Sequence, residues 1–222
     1  MTDPGAGLRH LVDPPRADGA GPHPALVLLH GRGADETDLR ALAPALDARF
    51  LVLSVRAPLP FPGGGFAWYD TEETGRPKTR HFIESLARLT RFLDGLPAHG
   101  ADPDRVFLLG FSMGAVMSHA IALSSPERVA GVVAHSGYVP PENEGFRYAR
   151  DRLSGRSWFV AHGTEDPLLR IHMGRESREI LSSLGADLTY REYPIGHWVS
   201  EDSLADLSEW LTRRLDAAER TR

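Results

Sequence analysis

One pentapeptide of this sequence, Gly110–Gly114 (GFSMG), carries a serine between two glycines. It directly follows the apolar run Val106–Leu109 and precedes Ala115–Leu123, whose residues have a helical pattern. A sharp strand-to-helix turn exposes a serine hydroxyl at a helix N-terminus, where developing negative charge is favoured. The pentapeptide alone could arise by chance, so its position between a buried strand and a helix is what indicates Ser112 as a nucleophile.

Acyl transfer by a serine requires a histidine that accepts the hydroxyl proton and a carboxylate that orients this histidine. His197 is the candidate base, because it lies in a loop between the last predicted strand and the C-terminal helix. Glu165 and Asp166 follow another predicted strand, and the chain order serine, acid, histidine accompanies such a turn. Position alone does not choose between the two acids, and a surface loop rich in acidic residues is the alternative interpretation.

A glycine-rich loop, His30–Gly33 (HGRG), follows the first strongly apolar strand pattern. A tetrahedral intermediate needs two backbone N–H donors at the position of its oxyanion, and each stabilises the transition state by roughly 3–4 kcal/mol. The predicted donors are the amide of Met113, directly after the serine, and the amide of Arg32 in this loop. A glycine-rich turn that only caps the next helix would have the same sequence.

Short apolar runs alternate with amphipathic segments, which predicts an α/β fold with a mainly parallel sheet of about six or seven strands and helices on both faces. Ligands bind beyond the carboxyl ends of the strands in such sheets, where the residues named above lie. The predicted strands are Ala25–His30, Phe50–Val55, Arg105–Gly110, Val129–His135, Ser157–His162 and Asp187–Tyr193, with Leu8–Val12 as a further candidate at an edge. The predicted helices are Glu36–Ala48 with Asp35 as N-cap, Thr79–His99, Ser112–Ser124, Ile171–Leu184 and Ser200–Ala218.

The composition is that of a globular protein. The chain has 222 residues, 41% hydrophobic and 25% charged, so a single domain over residues 1–222 is expected, with residues 1–20 as a loosely ordered start or an edge strand.

The net charge is −5, and the sequence has no basic stripe that would indicate a nucleic-acid partner. There is no cysteine, and no histidine pair has metal-ligand spacing, so neither a metal nor another cofactor is expected. No signal peptide and no membrane-spanning run is recognised, which predicts a cytoplasmic location. A monomer or a homodimer is expected, and the sequence does not choose between the two.

Four motifs occur in order along the chain: His-Gly-x-Gly after a strand, Gly-Phe-Ser-x-Gly, His-Gly-x-x-Asp and Gly-His. Together they resemble the phospholipase/carboxylesterase family of α/β hydrolases, which includes acyl-protein thioesterases and small bacterial esterases. The resemblance implies an α/β-hydrolase fold with Ser112 as nucleophile, Asp166 rather than Glu165 as acid, and His197 as base. The family's Ser-Gln-Gly-Gly is Ser-Met-Gly-Ala here, and Met113 can still donate its amide.

An aromatic-aromatic-Asp loop of the family resembles residues 68–70 (WYD), which implies that the two rings line the acyl pocket; a packing role for Trp68 is the alternative. The segment Gly137–Arg156 between two predicted strands is too short for a large lid domain. The predicted substrate-binding residues are Phe66, Trp68, Tyr69 and Phe111.

These features predict a serine carboxylesterase that hydrolyses small-molecule esters of short to medium acyl chains through an acyl-enzyme intermediate. Thioesterase or lysophospholipase activity and peroxide-dependent acyl transfer are alternatives that would use the same triad. A member of the fold that binds a small ligand without catalysis is a further alternative, which the intact triad disfavours.

Overall fold

The computed structural model describes residues 7–73 and 76–220, so the predicted start of the chain lies partly outside the described residues. The α-helices are α1 (Thr79–Asp94), α2 (Met113–Ser124), α3 (Ile171–Ser183) and α4 (Glu201–Arg220). Short 3₁₀ helices cover Leu39–Ala45, Leu96–His99, Pro126–Arg128 and Arg150–Arg152. The strands are β1 (His10–Asp13), β2 (His23–Leu29), β3 (Leu51–Val55), β4 (Leu59–Pro60), β5 (Phe66–Ala67), β6 (Thr71–Glu73), β7 (Arg76–Pro77), β8 (Ala101–Phe111), β9 (Gly131–His135), β10 (Ser157–Gly163) and β11 (Asp187–Tyr193).

Seven of the described strands form one sheet with the order β1-β3-β2-β8-β9-β10-β11. β1 pairs antiparallel with β3 at one edge, and every other pair in this sheet is parallel. Two small antiparallel hairpins, β4-β5 and β6-β7, lie in the connection between β3 and α1. The fold class predicted from the sequence, an α/β-hydrolase fold with a mainly parallel sheet, is confirmed, and the candidate edge strand is present as β1.

Helices cover both faces of the sheet. Neighbouring residues of a strand point to opposite faces, and the central strands present apolar side chains on both, so each face packs against helices. On β2, Val27 and Leu29 pack into the core cluster that includes the buried residues of α1, α2 and α3. Leu26 and Leu28 pack into the other cluster, which includes the buried face of α4 and part of the 3₁₀ helix Leu39–Ala45. Such two-sided burial explains why the central strands read as continuous apolar runs.

The segment predicted as an α-helix over Glu36–Ala48 is instead a short 3₁₀ helix over Leu39–Ala45, so this prediction was wrong. Pro44 lies inside the segment and has no amide to donate, which breaks the ladder of an α-helix. Asp35 does not cap a helix; its Oδ1 accepts the Thr37 amide at 2.8 Å in a local turn. The carboxylate of Glu36 is buried and bound by Arg56, which holds the start of the segment against the sheet.

Helix α1 ends at Asp94, five residues before the predicted end at His99. Gly95 follows, and Pro97 disfavours helical backbone at the residue before it, so the chain continues as a 3₁₀ helix over Leu96–His99. None of the helices in the described part of the chain has the length and apolar composition needed to cross a membrane.

Candidate active site

Ser112 occupies a strained turn between β8 and α2, with φ 53° and ψ −117°. The turn is so tight that a Cβ on Gly114 would lie 1.8 Å from the carbonyl oxygen of Leu29, and one on Gly110 would lie 2.4 Å from that of Gly114. The Ser112 amide donates to the carbonyl of His135 on β9 at 2.9 Å. The flanking glycines of the pentapeptide are therefore required by close backbone contacts, and the serine is held by the neighbouring strand.

His197 lies between Ser112 and Asp166 and contacts both. Its Nε2 is 2.9 Å from Ser112 Oγ, and its Nδ1 is 2.6 Å from Asp166 Oδ2. With the ring proton on Nδ1, the imidazole donates to the carboxylate and accepts from the serine hydroxyl. The structure thus brings together three residues from three different loops at the carboxyl edge of the sheet, in the arrangement of a serine nucleophile, its base and an orienting acid.

Asp166, and not Glu165, is the acid that contacts the histidine. Its side chain is fully buried, and its Oδ1 accepts the amides of Leu168 and Leu169, each at 2.9 Å. Glu165 is exposed, and its amide donates to the carbonyl of Ile195. The Asp166 carboxylate therefore has one oxygen held by the backbone and the other directed at His197.

The peptide bond between Gly31 and Arg32 is oriented by a buried histidine that sequence reasoning did not assign to the site. His30 Nδ1 donates to the carbonyl of Gly31 at 2.6 Å, and its Nε2 accepts the amide of Ala57 at 3.0 Å. Carbonyl and N–H point in opposite directions across a trans peptide, so the position of this carbonyl sets the direction of the Arg32 amide. Burial lowers the pKa of His30, which favours the neutral ring that both contacts require.

Both predicted oxyanion donors have free amides near the serine. In the described part of the chain, the Arg32 amide donates to no other backbone group, and Met113, the first residue of α2, has no acceptor within the helix. A Cβ on Gly31 would be 3.2 Å from the ring of Phe111, closer than ordinary contact, so the glycine lets the loop pack against the residue before the nucleophile. The amide of Gly33 donates to the carbonyl of Phe66 at 2.8 Å, which holds the far end of the loop.

A cavity of about 130 Å³ opens beside the serine. Of the four predicted substrate-binding residues, Tyr69 lines this cavity and the other three do not. Tyr138, three residues after the end of β9, lines it as well, although sequence reasoning assigned this residue no role. The full lining consists of Arg32, Tyr69, Thr71, Ser112, Met113, Val116, Tyr138, Leu168, Leu169 and His197.

The three other aromatic residues do not line the cavity and pack against residues of the surrounding loops. Trp68 is fully buried, and its indole N–H donates to the carbonyl of His30 at 2.9 Å. The ring of Phe66 lies under the guanidinium of Arg56, at 4.3 Å. The ring of Phe111 packs against that of His197, with centroids 4.9 Å apart. Their rings are fully or partly buried and hold the loops that carry the site.

His135, at the end of β9, lies beneath the triad. Its Nδ1 is 3.0 Å from the hydroxyl of Ser136, and its Nε2 is 3.0 Å from the hydroxyl of Ser203 on α4. Burial lowers the pKa of His135 to about 3, so its ring is neutral at physiological pH. Sequence reasoning identified this residue only as the end of a strand, because its partner Ser203 lies 68 positions away in the sequence.

A family model described as Phospholipase/Carboxylesterase matches residues 17–215 of this chain. Acyl-protein thioesterase 1 of Debaryomyces hansenii is 28% identical over 158 residues, covering 67% of this chain and 68% of the relative. Lysophospholipase-like protein 1 of Mus musculus is 30% identical over 165 residues, covering 70% of this chain and 68% of the relative. The structure of the Bacillus cereus carboxylesterase superposes with a TM-score of 0.82 at 26% identity, covering 93% of this chain and 94% of that chain.

Proposed function

Because the chain belongs to the phospholipase/carboxylesterase family, we propose that it is a serine carboxylesterase that hydrolyses esters of short to medium acyl groups. The observation that carries this proposal is the position of His197, within hydrogen-bond distance of Ser112 on one side and of Asp166 on the other. Nucleophilic catalysis by a serine needs this arrangement, since the free hydroxyl is a weak nucleophile.

Acylation begins when His197 Nε2 takes the proton of Ser112 and the serine oxygen attacks the ester carbonyl. The negative charge that develops on the carbonyl oxygen is stabilised by the amides of Arg32 and Met113. Asp166 stabilises the imidazolium that forms and keeps its ring in position. The protonated His197 then donates its proton to the leaving alcohol, and the acyl group remains on Ser112.

Deacylation uses the same groups with water as the nucleophile. His197 removes a proton from the water, the hydroxide oxygen attacks the acyl-enzyme, and the two amides again bind the oxyanion. Collapse of the intermediate returns the proton from His197 to Ser112 and releases the carboxylic acid. The cycle consumes one water and leaves the protein unchanged.

The size of the site supports short to medium acyl groups. The cavity beside Ser112 is small, at about 130 Å³, and so has room for only a limited acyl chain. Between β9 and β10 the chain forms only the 3₁₀ helix Arg150–Arg152, and no domain is inserted there. We therefore expect activity on dissolved esters without a requirement for a lipid interface.

Labelling with a fluorophosphonate probe tests the nucleophile directly. We expect the wild-type protein to be modified at Ser112 and to hydrolyse 4-nitrophenyl esters of short acids, and Ser112→Ala to lose labelling and roughly 10⁴–10⁶-fold in turnover. Ser182→Ala is a control, because Ser182 is an exposed serine of α3 that lies outside the cavity. Labelling that persists in Ser112→Ala, or an unlabelled wild-type protein, would overturn the assignment.

Thioester hydrolysis is a second candidate, because a relative with 28% identity is named acyl-protein thioesterase 1. The same triad would perform it, with a thiol as the leaving group. Matched oxygen esters and thioesters of one short acid distinguish the two, and we expect the oxygen ester to be hydrolysed. The cytoplasmic location and the monomer or homodimer state stay predictions, and size-exclusion chromatography with light scattering measures the latter.

A further inference from the structure

The side chain of Arg32 is a cation without a carboxylate partner beside the candidate nucleophile. Among the described side chains, no acid lies within 4.0 Å of its guanidinium, whereas Arg40, Arg56 and Arg175 each bind a carboxylate through two nitrogens. The guanidinium lies over the ring of Phe61, 5.6 Å from its centroid, and the residue lines the cavity that contains Ser112. A positive charge is therefore held at the wall of the substrate site.

Two phenol hydroxyls lie in the same cavity wall. Tyr69 Oη and Tyr138 Oη are 3.4 Å apart, and both side chains are buried except for the surface that faces the cavity. Two hydroxyls carry two protons, and only one can lie between the two oxygens, so one O–H of the pair remains to donate to a ligand. Burial raises the pKa of both phenols, so they stay protonated donors throughout the physiological range.

The nearby acids do not neutralise this wall. Asp70, next to Thr71 of the cavity lining, lies 3.7 Å from Lys78 and 3.3 Å from His81. Asp166 is occupied by His197 and by two backbone amides. The positive charge of Arg32 acts on Tyr69, lowering its pKa against the larger opposite effect of burial, so the guanidinium and the phenol share one electrostatic environment.

We propose, on the basis of the proposed esterase function, that the physiological substrate is an ester whose acyl part carries a free carboxylate, bound by the Arg32 guanidinium and by the free hydroxyl of the Tyr69–Tyr138 pair. A carboxylate has the negative charge and the acceptor oxygens that a guanidinium and an O–H donor recognise together. The small cavity and its apolar lining residues Val116 and Leu169 restrict the chain between the ester and the carboxylate to a few carbons.

Monoethyl glutarate and ethyl valerate test this proposal, because both are ethyl esters of five-carbon acids and only the first carries a carboxylate. The measured quantity is the ratio of their kcat/KM values at low ionic strength. For the wild-type protein we expect the anionic ester to be preferred about tenfold, which corresponds to about 1.4 kcal/mol. This preference should decrease with added salt, because the guanidinium is exposed.

Arg32→Gln should lower this ratio about tenfold or more, and Arg32→Lys should retain most of it, since lysine keeps the charge. Arg88→Gln is the matched control: Arg88 is an exposed arginine of α1 outside the cavity, so its loss changes the net charge equally and should leave the ratio unchanged. Because the Arg32 amide is a candidate oxyanion donor, the ratio is the readout and not the absolute rate.

The tyrosine pair makes a separate prediction. Tyr69→Phe and Tyr138→Phe each leave one hydroxyl, which can still donate, so either single variant should keep much of the ratio. The double variant has no hydroxyl left to donate. Its kcat/KM ratio for the two esters should therefore fall severalfold further than the combined effects of the two single variants.

The outcomes distinguish this inference from the proposed function. If both esters are hydrolysed through Ser112 and the ratio is the same in wild type, Arg32→Gln and Arg88→Gln, the carboxylate proposal is wrong and the esterase assignment stands. If neither ester is hydrolysed and Ser112 is not labelled by a fluorophosphonate, the proposed function itself fails.

Discussion

His135 and Ser203 connect the two loops that carry the candidate nucleophile and base. The ring nitrogen Nε2 of His135 lies 3.0 Å from the hydroxyl of Ser203, and the carbonyl of His135 accepts the amide of Ser112 at 2.9 Å. Ser203 is in the first turn of α4, six residues after His197, and exchanges hydrogen bonds with Ser200. One buried residue thus contacts the serine turn and the helix start that follows the histidine loop.

Ser203→Ala removes the contact with His135. The distance between His197 and Ser112 should then be less well fixed, so we expect kcat to fall about tenfold while KM stays nearly unchanged. It should also destabilise the protein by about 1 kcal/mol through the lost hydrogen bond at the start of α4. Steady-state kinetics and denaturant unfolding measure the two effects.

Ser208→Ala provides the comparison for this variant. Ser208 is also on α4, and its hydroxyl donates to the carbonyl of Ala45 at 2.8 Å. This hydrogen bond involves no residue of the triad and none that contacts it. This change should affect stability alone. If both serine variants keep wild-type kcat, His135 and Ser203 have only a structural role.

Asp166→Asn should lower kcat by about 10⁴-fold, because an amide can hold the wrong histidine tautomer and cannot stabilise the imidazolium. Glu165→Gln should stay within about twofold of the wild type, since Glu165 is exposed and does not contact His197. The two variants remove the same charge from adjacent positions, so general electrostatic effects cancel in the comparison. Equal and small losses of kcat in both would contradict Asp166 as the orienting acid.

His30→Leu should lower kcat about 10- to 100-fold, because the Gly31 carbonyl is released and the Arg32 amide loses its direction. His30→Asn can still donate to this carbonyl from a nitrogen close to the position of Nδ1, so it should lose less. Both variants lose the acceptor for the amide of Ala57, and both are expected to be less stable. The difference in kcat between the two therefore measures the contact with Gly31, and equal values would exclude a role in orienting the amide.

The free energy of unfolding should fall as the pH falls below about 6.5, because the buried histidines take up protons only on unfolding. Burial lowers the pKa of His119 and of His135 to about 3, and it also lowers those of His30 and His162. Because the unfolded state binds these protons at a higher pH than the folded state, the stabilisation is fully present above pH 6.5 and decreases as the pH falls. For His119 and His135 the loss continues toward pH 3, at up to about 1.4 kcal/mol per pH unit for each residue.

Denaturant unfolding between pH 6.5 and 5 measures this slope above the range in which most carboxylates titrate. His119→Leu should reduce the mean slope over this range by about 1 kcal/mol per pH unit, since burial keeps this ring neutral and both of its nitrogens lack a partner among the described residues. Substitution of the exposed His172 by Gln should leave the slope unchanged. A slope that does not change in His119→Leu would show that this histidine is already protonated in the folded protein.

The sequence was sufficient to predict the elements that position the chemistry. Parallel strands buried on both faces are apolar along their whole length, and the loops of Arg32, Ser112 and Asp166 each follow directly after one of them. The loop of His197 follows the edge strand β11, which was predicted as well, so local pattern determined both the strands and the loops. The segment around Pro44 was the exception, since its spacing of apolar residues is helical but the proline and the local turn of Asp35 act against an α-helix.

The contacts between distant segments were decided by the tertiary structure. The sequence could not choose between Glu165 and Asp166 by position, and it could not show that Trp68 donates to His30 or that Tyr138 reaches the cavity beside Tyr69. These relationships join residues up to 85 positions apart, as for His197 and Ser112, and depend on how the strand order brings the loops together at one edge of the sheet. Residue types and spacing therefore determined the kind of chemistry, whereas the packing of the loops determined which side chains surround it.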